Sequence, residues 1–274
     1  MRKHLSTIIL ILVFLIGLSL LLYPTVSDYW NSLHQSRAIA SYAEHVAELD
    51  NAAYEKLWAD AAAYNQTLSG KPSRYTMTDE ERAEYESLLN VSGNGILGYI
   101  EIPSIKCALP IYHGTDEAVL QIAVGHIEGS SLPVGGAGTH CVLSGHRGLP
   151  SARLFTDLDK LNLGDLFLIR VLDETLTYEV DQILIVEPDE LDALEIEPGK
   201  DYCTLVTCTP YGINTHRLLV RGHRVENQKD ANAIRVTADA LQIEPVLIAP
   251  VVAAPILLLL LVWMLIYDHK KRKR

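Results

Sequence analysis

Basic residues are scarce in this 274-residue sequence, and several of them are gathered at its two ends. Lysine and arginine total 23 against 34 aspartates and glutamates, which gives a formal net charge of −11 at pH 7. Nucleic-acid phosphates are bound through Lys and Arg, so this balance argues against a nucleic-acid partner. The composition, 49% apolar and 21% charged, also excludes a disordered or collagen-like chain.

Cysteines are also few, and the common cofactor motifs are absent. The four cysteines need not form a disulfide framework, because a domain of about 220 residues buries a sufficient core without one; a Cys107–Cys141 bridge stays open. The Gly135-Gly136-x-Gly138 stretch lacks the strand–helix frame and the following Lys-Ser/Thr of a phosphate loop. No cofactor and no metal are predicted. A histidine metal site is the weak alternative, built from His113, His126, His140 and His146.

Two long uncharged runs, residues 5–23 and 247–267, stand out near the ends of the chain. Each is about long enough to cross a hydrocarbon core of ~30 Å as a helix that rises ~1.5 Å per residue. Basic residues precede the first run and follow the second. Because such residues collect on the cytoplasmic side, we expect a two-pass cell-membrane protein with both termini in the cytoplasm and residues 24–246 outside.

A cleaved signal peptide is the alternative interpretation of the first run. Its apolar core is longer than the usual h-region of about 7–15 residues, and Ser-Leu-Leu-Leu-Tyr offers no small-x-small cleavage site. An uncleaved anchor is therefore favoured. The basic stop after the second run likewise argues against a buried core helix.

The hydrophobic pattern changes once between the two runs. Residues 28–68 contain neither Gly nor Pro and place apolar residues at helical spacing, which predicts one or two amphipathic helices that either pack on the domain or form a solvated stalk. Residues 69–80 form a loop by their Gly, Pro and Ser content. Thr78, with Glu81 three residues later, resembles a capping box that starts a short helix. From Ile96 the apolar residues alternate with period two.

Short strands separated by turns fill the rest of the extracellular part. This pattern predicts a mainly β fold, a closed or nearly closed antiparallel barrel. The predicted strands are residues 98–102, 108–112, 140–144, 166–171, 176–186, 202–208 and 217–225, with a helix at 117–123.

Three residues at strand ends are candidates for catalysis. Cys208 ends a strand and is followed by Thr-Pro-Tyr-Gly, so its sulfur can face a cleft, although a buried structural thiol is commoner. His146 lies in a glycine-flanked loop, where it is either a general acid–base or a plain surface residue. Arg217 opens a strand and can donate hydrogen bonds to an oxyanion. Together they are the parts of a thiol acyl-transfer site. Three other arginines compete for the third role: Arg147, Arg221 and Arg224.

The sequence resembles the sortases, membrane-anchored cysteine transpeptidases of Gram-positive bacteria. The resemblance is carried by TLVTC (204–208), by LSGHRG (143–148) and by the arginine that follows at Arg217. The longer strings GYIEIPSI, LPIYHGT and TLVTCTPYGINTHRLLVRGHR are similar to class C, the pilin-polymerising branch. The resemblance implies an eight-stranded sortase β-barrel, with Cys208, His146 and Arg217 in the catalytic roles.

One feature departs from the class C pattern. Many class C sortases carry a lid with Asp-Pro and an aromatic residue, whereas here Pro72 follows Lys71. No lid residue is carried over, although the loop 69–80 remains a candidate lid through Tyr75 or Met77.

The resemblance implies an enzyme that cleaves an LPxTG-like sorting motif of secreted pilin or surface proteins through a Cys208 acyl-enzyme and joins it to a pilin lysine amine. The alternatives are attachment of surface proteins to a peptidoglycan precursor, a plain cysteine protease, and a non-enzymatic binding barrel. The predicted organisation is a cytoplasmic N-terminus (1–4), a transmembrane helix (5–23), an extracellular helical segment with a possible lid loop (24–95), the sortase barrel (96–230), a linker (231–246), a second transmembrane helix (247–267) and a basic cytoplasmic tail (268–274).

Overall fold

The computed structural model describes residues 2–71 and 73–227. The predicted second membrane helix at 247–267, with its linker and basic tail, lies outside the described residues. Within them the helices are α1 (Arg2–Ala47), α2 (Asn51–Leu68), α3 (Asp79–Ser87) and α4 (Glu117–Leu120). The strands are β1 (Ile96–Ile102), β2 (Cys107–His113), β3 (Val124–His126), β4 (Thr139–Ser144), β5 (Leu166–Val171), β6 (Glu174–Val186), β7 (Asp201–Thr209) and β8 (His216–Val225).

Helix α1 joins two predicted segments into one. The apolar run at 5–23 continues without a break through Pro24 into the first part of the amphipathic region. Among the described residues, α1 is the helix long and apolar enough to cross a membrane, and none of its most apolar stretch is buried against the protein. The amphipathic region divides at Asp50, whose side chain accepts a hydrogen bond of 2.7 Å from Ala53 N and caps α2.

The helices that follow the apolar run pack on the barrel rather than forming a stalk. The Tyr42 hydroxyl of α1 donates to Leu97 O (3.0 Å) and accepts from Leu172 N (2.7 Å). From α2, the Asn65 side chain donates to Leu132 O (3.0 Å) and accepts from Leu132 N (2.7 Å). Both side chains are buried. Polar groups buried in this way are retained only where they are paired, so each one fixes its helix against a particular strand or loop.

Helix α3 begins at the predicted capping box. Thr78 Oγ1 accepts from Glu81 N (3.2 Å), and Glu81 Oε2 accepts from Thr78 N (2.9 Å), so the prediction is confirmed. The fully buried Tyr85 then anchors the helix: its hydroxyl lies 2.8 Å from His126 Nδ1 and accepts from Gly114 N (3.1 Å).

The eight strands close into a barrel in the order β1-β2-β3-β4-β7-β8-β6-β5. The eight-stranded barrel is therefore confirmed. Its strands are not all antiparallel as predicted, because β2 pairs with β3 and β4 pairs with β7 in parallel. The three-residue strand β3 was not predicted, since so short a segment carries too few residues to establish a period of two.

The barrel interior is filled by aromatic and branched side chains. Phe167 of β5 and Tyr178 of β6 stack with ring centroids 5.5 Å apart, and both are fully buried. Gly222 of β8 makes room for them, because a Cβ there would lie 2.6 Å from the Phe167 ring. A packed interior of this kind places the functional side chains on the outer face and at the strand ends.

Candidate active site

Strands β7 and β8 bring Cys208 and Arg217 together. The two residues are direct cross-strand partners near the open end of the antiparallel pair, with Thr209 and His216 as the last paired residues before the connecting loop. Side chains of directly opposed residues share a face, with Cβ atoms about 4.5–5.5 Å apart. Cys208 is partly exposed, whereas the other three cysteines are buried, and all four are free thiols. Cys208 is therefore accessible to solvent and has an arginine as its cross-strand partner.

His146 is carried to the same end of the barrel by β4. This strand runs parallel to β7, and its last residue, Ser144, is paired with Val206. His146 lies two residues after Ser144, and Cys208 lies two residues after Val206, so both follow the same strand pair in the same direction. The contact between the two segments continues past Ser144: Gly145 N donates to Val206 O (3.0 Å), and the Thr207 hydroxyl donates to Gly145 O (2.7 Å). The loop that carries His146 is thus hydrogen-bonded to β7 at Val206 and at Thr207.

The ring of Phe155 packs against the loop that carries His146, at Gly145. A Cβ at position 145 would lie 2.7 Å from the Phe155 ring, so only glycine lets the ring approach this closely. Phe155 N also donates to His146 O (3.1 Å) and closes the loop on itself. Nothing in the local sequence pattern marks Phe155 as a partner of His146.

We expect Thr207→Val to slow catalysis by about 10-fold or more without unfolding the protein. Valine keeps the branched shape but leaves the buried Gly145 carbonyl without its donor, and small displacements of catalytic groups are costly. The fall should appear in kcat with KM little changed, and Thr207→Ser should restore most of the rate. Full activity of Thr207→Val would show that the hydroxyl does not position the histidine loop.

The structure separates the four competing arginines. Arg221 binds Asp181 through Nε (3.0 Å) and Nη2 (3.1 Å), and its guanidinium lies 4.1 Å from the centroid of the Tyr202 ring. Arg147 forms an ion pair with Asp159 and has a side chain that is only 9% exposed.

The remaining two arginines differ from each other in what their guanidinium groups contact. Arg224 lies over the Tyr178 ring, with 5.8 Å to its centroid, and donates to Thr175 O (3.4 Å). Within residues 2–71 and 73–227, the Arg217 guanidinium bonds backbone carbonyls, those of His216 (3.1 Å) and Asn214 (3.4 Å), and forms no ion pair with a carboxylate. Of the four, Arg217 is the one that lies opposite Cys208 and, among the described residues, forms no ion pair with a carboxylate.

An acidic residue that no sequence motif marks lies near His146. Glu117, at the start of α4, places Oε2 3.9 Å from His146 Nε2, beyond hydrogen-bonding range. Its side chain is 75% exposed, so its attraction for a protonated imidazole is weakened by solvent.

An apolar patch lies on the barrel face that carries Cys208. Along β7 the outward residues alternate with the core, and Val206 packs with Val142, Val186 and Leu219. Leu194, from the connection between β6 and β7, covers this patch. All five side chains are buried, so they form a small second core beneath the connection between β6 and β7, on the face that carries Cys208.

The candidate lid loop is fastened to that same connection. The buried Arg74 side chain contacts Glu195 Oε2 (2.9 Å) and donates to Leu194 O (2.9 Å), with the Tyr75 ring centroid 4.8 Å from its guanidinium carbon. Gly129 permits the approach, because a Cβ there would lie 2.2 Å from Arg74 O. Met77 packs against the main core instead. The loop therefore buttresses the wall of the apolar patch.

The other histidines of the alternative metal site serve the fold. His126 is bonded by Tyr85, His140 lies between Glu195 O (2.8 Å) and Thr204 Oγ1 (2.7 Å), and burial lowers the pKa of His113 to about 4. In the described part of the chain, no three His, Cys, Asp or Glu side chains are arranged to hold a metal ion.

Comparisons with known proteins agree with this geometry. A family model described as the sortase domain matches residues 100–225. The crystal structure of sortase C1 from Streptococcus agalactiae is 56% identical, covers 70% of this chain and 100% of its own, and has a TM-score of 0.69. Sortase C of Streptococcus pneumoniae is 48% identical over 70% of this chain and 97% of its own, with a TM-score of 0.64. Sortase D of Bacillus subtilis is 33% identical over 168 residues, which are 60% of this chain and 79% of the relative.

Proposed function

The chain belongs to the sortase family of cysteine transpeptidases, and from that premise we propose that it is a membrane-anchored pilin polymerase. It cleaves an LPxTG-like sorting motif in a secreted pilin and joins the new carboxyl end to a lysine amine of the next subunit. The single observation that carries the catalytic assignment is the cross-strand pairing of Cys208 with Arg217 beside the histidine loop. Nucleophile, oxyanion donor and proton shuttle then meet at one strand end.

Acylation begins when the Cys208 thiolate attacks the threonine carbonyl of the sorting motif. Arg217 donates to the oxyanion of the tetrahedral intermediate. A charged donor stabilises this negative oxygen more than it stabilises the neutral carbonyl oxygen of the bound substrate. The Thr–Gly bond breaks, and the glycine amine leaves with a proton from His146.

Transfer completes the reaction without an external energy source. The lysine amine attacks the thioester, gives its proton to His146 and releases the Cys208 thiolate. Because the thioester conserves the free energy of the original peptide bond, the transfer needs no ATP.

The class C neighbours support pilin as the substrate. They are 56% and 48% identical to this chain, and the name of the pneumococcal structure refers to pilin substrate specificity. The same chemistry with a different amine would attach surface proteins to a peptidoglycan precursor, and with water it would be proteolysis.

Acceptor competition is the experiment that tests this function. We expect the full chain in detergent to form a mass adduct with a Leu-Pro-x-Thr-Gly peptide and to transfer it to a lysine-bearing pilin fragment. The acceptors offered together are the pilin fragment, a peptidoglycan cross-bridge amine and water, with a donor in which Leu and Pro are exchanged as control. Transfer to the cross-bridge amine alone would make the protein a housekeeping enzyme, and hydrolysis alone a protease.

The membrane arrangement is part of the proposal. Residues 5–23 and 247–267 cross the bilayer with both termini in the cytoplasm, and residues 96–230 form the extracellular catalytic domain. The exposed apolar part of α1 supports the first crossing.

A further inference from the structure

The charged groups at the catalytic end of the barrel lie in a fixed order across neighbouring strands. Strands β3, β4, β7 and β8 are adjacent in that order. His146 follows β4, Cys208 lies in β7, and Arg217 opposes it in β8. Helix α4 leads into β3, which is paired at its start with the end of β4, so α4 reaches the same end of the barrel. The negative Glu117 of α4 therefore lies on the histidine side of the thiol, and the positive Arg217 lies on the other side.

The two carboxylate oxygens of Glu117 have different neighbours. Oε1 accepts a hydrogen bond from the side-chain amide of Gln121, and Oε2 lies 3.9 Å from His146 Nε2. That separation is too long for a hydrogen bond, but it is much shorter than two hydrogen bonds of about 2.8 Å placed end to end. One amine nitrogen can therefore donate to Glu117 Oε2 and to the unprotonated His146 Nε2 at the same time.

Two side chains of α1 maintain the separation between these groups. Gln35 Nε2 donates to Ile122 O (2.7 Å), just after α4, and Asn31 Nδ2 donates to Ser151 O (2.7 Å), in the loop that carries the histidine. Both bonds go to backbone carbonyls, so they fix the path of the segments that hold the carboxylate and the imidazole. The two groups are thus positioned before a ligand arrives, which lowers the entropic cost of binding one between them.

We propose that Glu117 binds the ammonium group of the lysine acceptor beside His146 and so determines the acceptor specificity of the transfer step. This inference rests on the proposed function and names the group that recognises the acceptor. At neutral pH a lysine amine is a cation, which Arg217 repels and the Glu117 carboxylate attracts. The side chain of Glu117 is 75% exposed, so its carboxylate is open to a ligand that arrives from solvent.

The same two contacts orient the amine for attack on the thioester. After the ammonium has given one proton to solvent, the neutral amine has two N–H groups, which donate to Glu117 and His146, and one lone pair, which faces the thioester carbon. Attack forms the C–N bond and breaks the C–S bond, which releases the Cys208 thiolate. One proton passes from the nitrogen to His146, and Glu117 exchanges no proton.

The test compares a charged acceptor with an uncharged one. The full chain in detergent is acylated with an LPxTG-type peptide and offered either a peptide with one lysine and a blocked α-amine, or hydroxylamine, which is uncharged at neutral pH. The variants are Glu117→Gln, which keeps the shape, and Glu117→Lys, which reverses the charge. Glu187→Gln is the matched control. Glu187 is also exposed (64%) and faces a histidine, with 3.2 Å between its Oε1 and His216 Nε2, but it follows the β6 residue that is paired with Arg217 and so lies on the arginine side.

We expect the ratio of the lysine-peptide rate to the hydroxylamine rate, at subsaturating acceptor, to fall about fivefold in Glu117→Gln and at least about 10-fold in Glu117→Lys. The ratio for Glu187→Gln should stay within about twofold of wild type, and added salt should lower the wild-type ratio towards that of Glu117→Gln. An unchanged ratio in both Glu117 variants, or an equal loss with both acceptors, would overturn the acceptor role and leave the proposed function intact. A wild-type protein that forms no acyl-enzyme would instead contradict the proposed function. Transfer to hydroxylamine also verifies that each variant folds.

Discussion

Replacement of Cys208 by alanine is expected to abolish thioester formation with a sorting peptide while leaving the barrel folded. The sulfur is partly exposed at the end of β7, so its removal leaves no buried cavity and little loss of packing. Without the nucleophile no acyl-enzyme is formed, and the residual rate should fall by several orders of magnitude. Intact-mass spectrometry of the trapped adduct, together with a melting curve, measures both effects.

The buried cysteines supply the control. Cys203→Ala removes a fully buried sulfur from the barrel core, so it should lower the melting temperature more than Cys208→Ala and still give the peptide adduct. Burial raises the pKa of Cys203 and raises that of Cys107 to about 12, which keeps both thiols protonated and unreactive at neutral pH. An adduct on either of them, or on Cys141, would place the nucleophile elsewhere.

The fold was largely predictable where the sequence carries repeated local signals. Alternation of apolar residues locates strands such as Leu166–Val171, and the paired side chains of Thr78 and Glu81 mark the start of α3. Local pattern cannot give strand order, because pairing depends on residues far apart in the chain. The parallel β4–β7 pair joins residues more than 60 positions apart, and it is this pair that brings His146 to Cys208.

The residue types of the candidate site could be proposed from the sequence, but their arrangement could not. Motif resemblance selected Cys208, His146 and Arg217, whereas the support given by Phe155 to the histidine loop depends on a tertiary contact with Gly145. The contacts of α1 with the segments around His146 were hidden for the same reason: polar residues on a helix face give no indication of what they touch. Among these supporting residues, Thr207 is the one that the sequence marks, because it belongs to the motif TLVTC.

Among the arginines, Arg217→Lys is expected to slow single-turnover acylation about 100-fold, which corresponds to roughly 3 kcal/mol of transition-state stabilisation. Lysine keeps the positive charge, but it lacks the planar fork of donors that reaches an oxyanion from the neighbouring strand. Arg217 is the cross-strand partner of Cys208, and within the described residues its guanidinium is bonded to carbonyl oxygens alone. Its charge is therefore available when the oxyanion forms.

Arg221→Lys is the matched control, four residues further along the same face of β8. Arg221 is opposite Thr204 and is held by Asp181 and the Tyr202 ring, so its loss should lower stability by about 1 kcal/mol and change the acylation rate by no more than a few fold. The two variants are compared by rapid-quench acylation and by thermal melting under the same conditions. If Arg221→Lys is the slow enzyme and Arg217→Lys is near wild type, the oxyanion donor is Arg221. If both variants acylate at nearly the wild-type rate, the oxyanion is held by backbone amides and neither arginine is needed. The reason is that a group which stabilises the transition state of acylation must change the acylation rate when it is replaced.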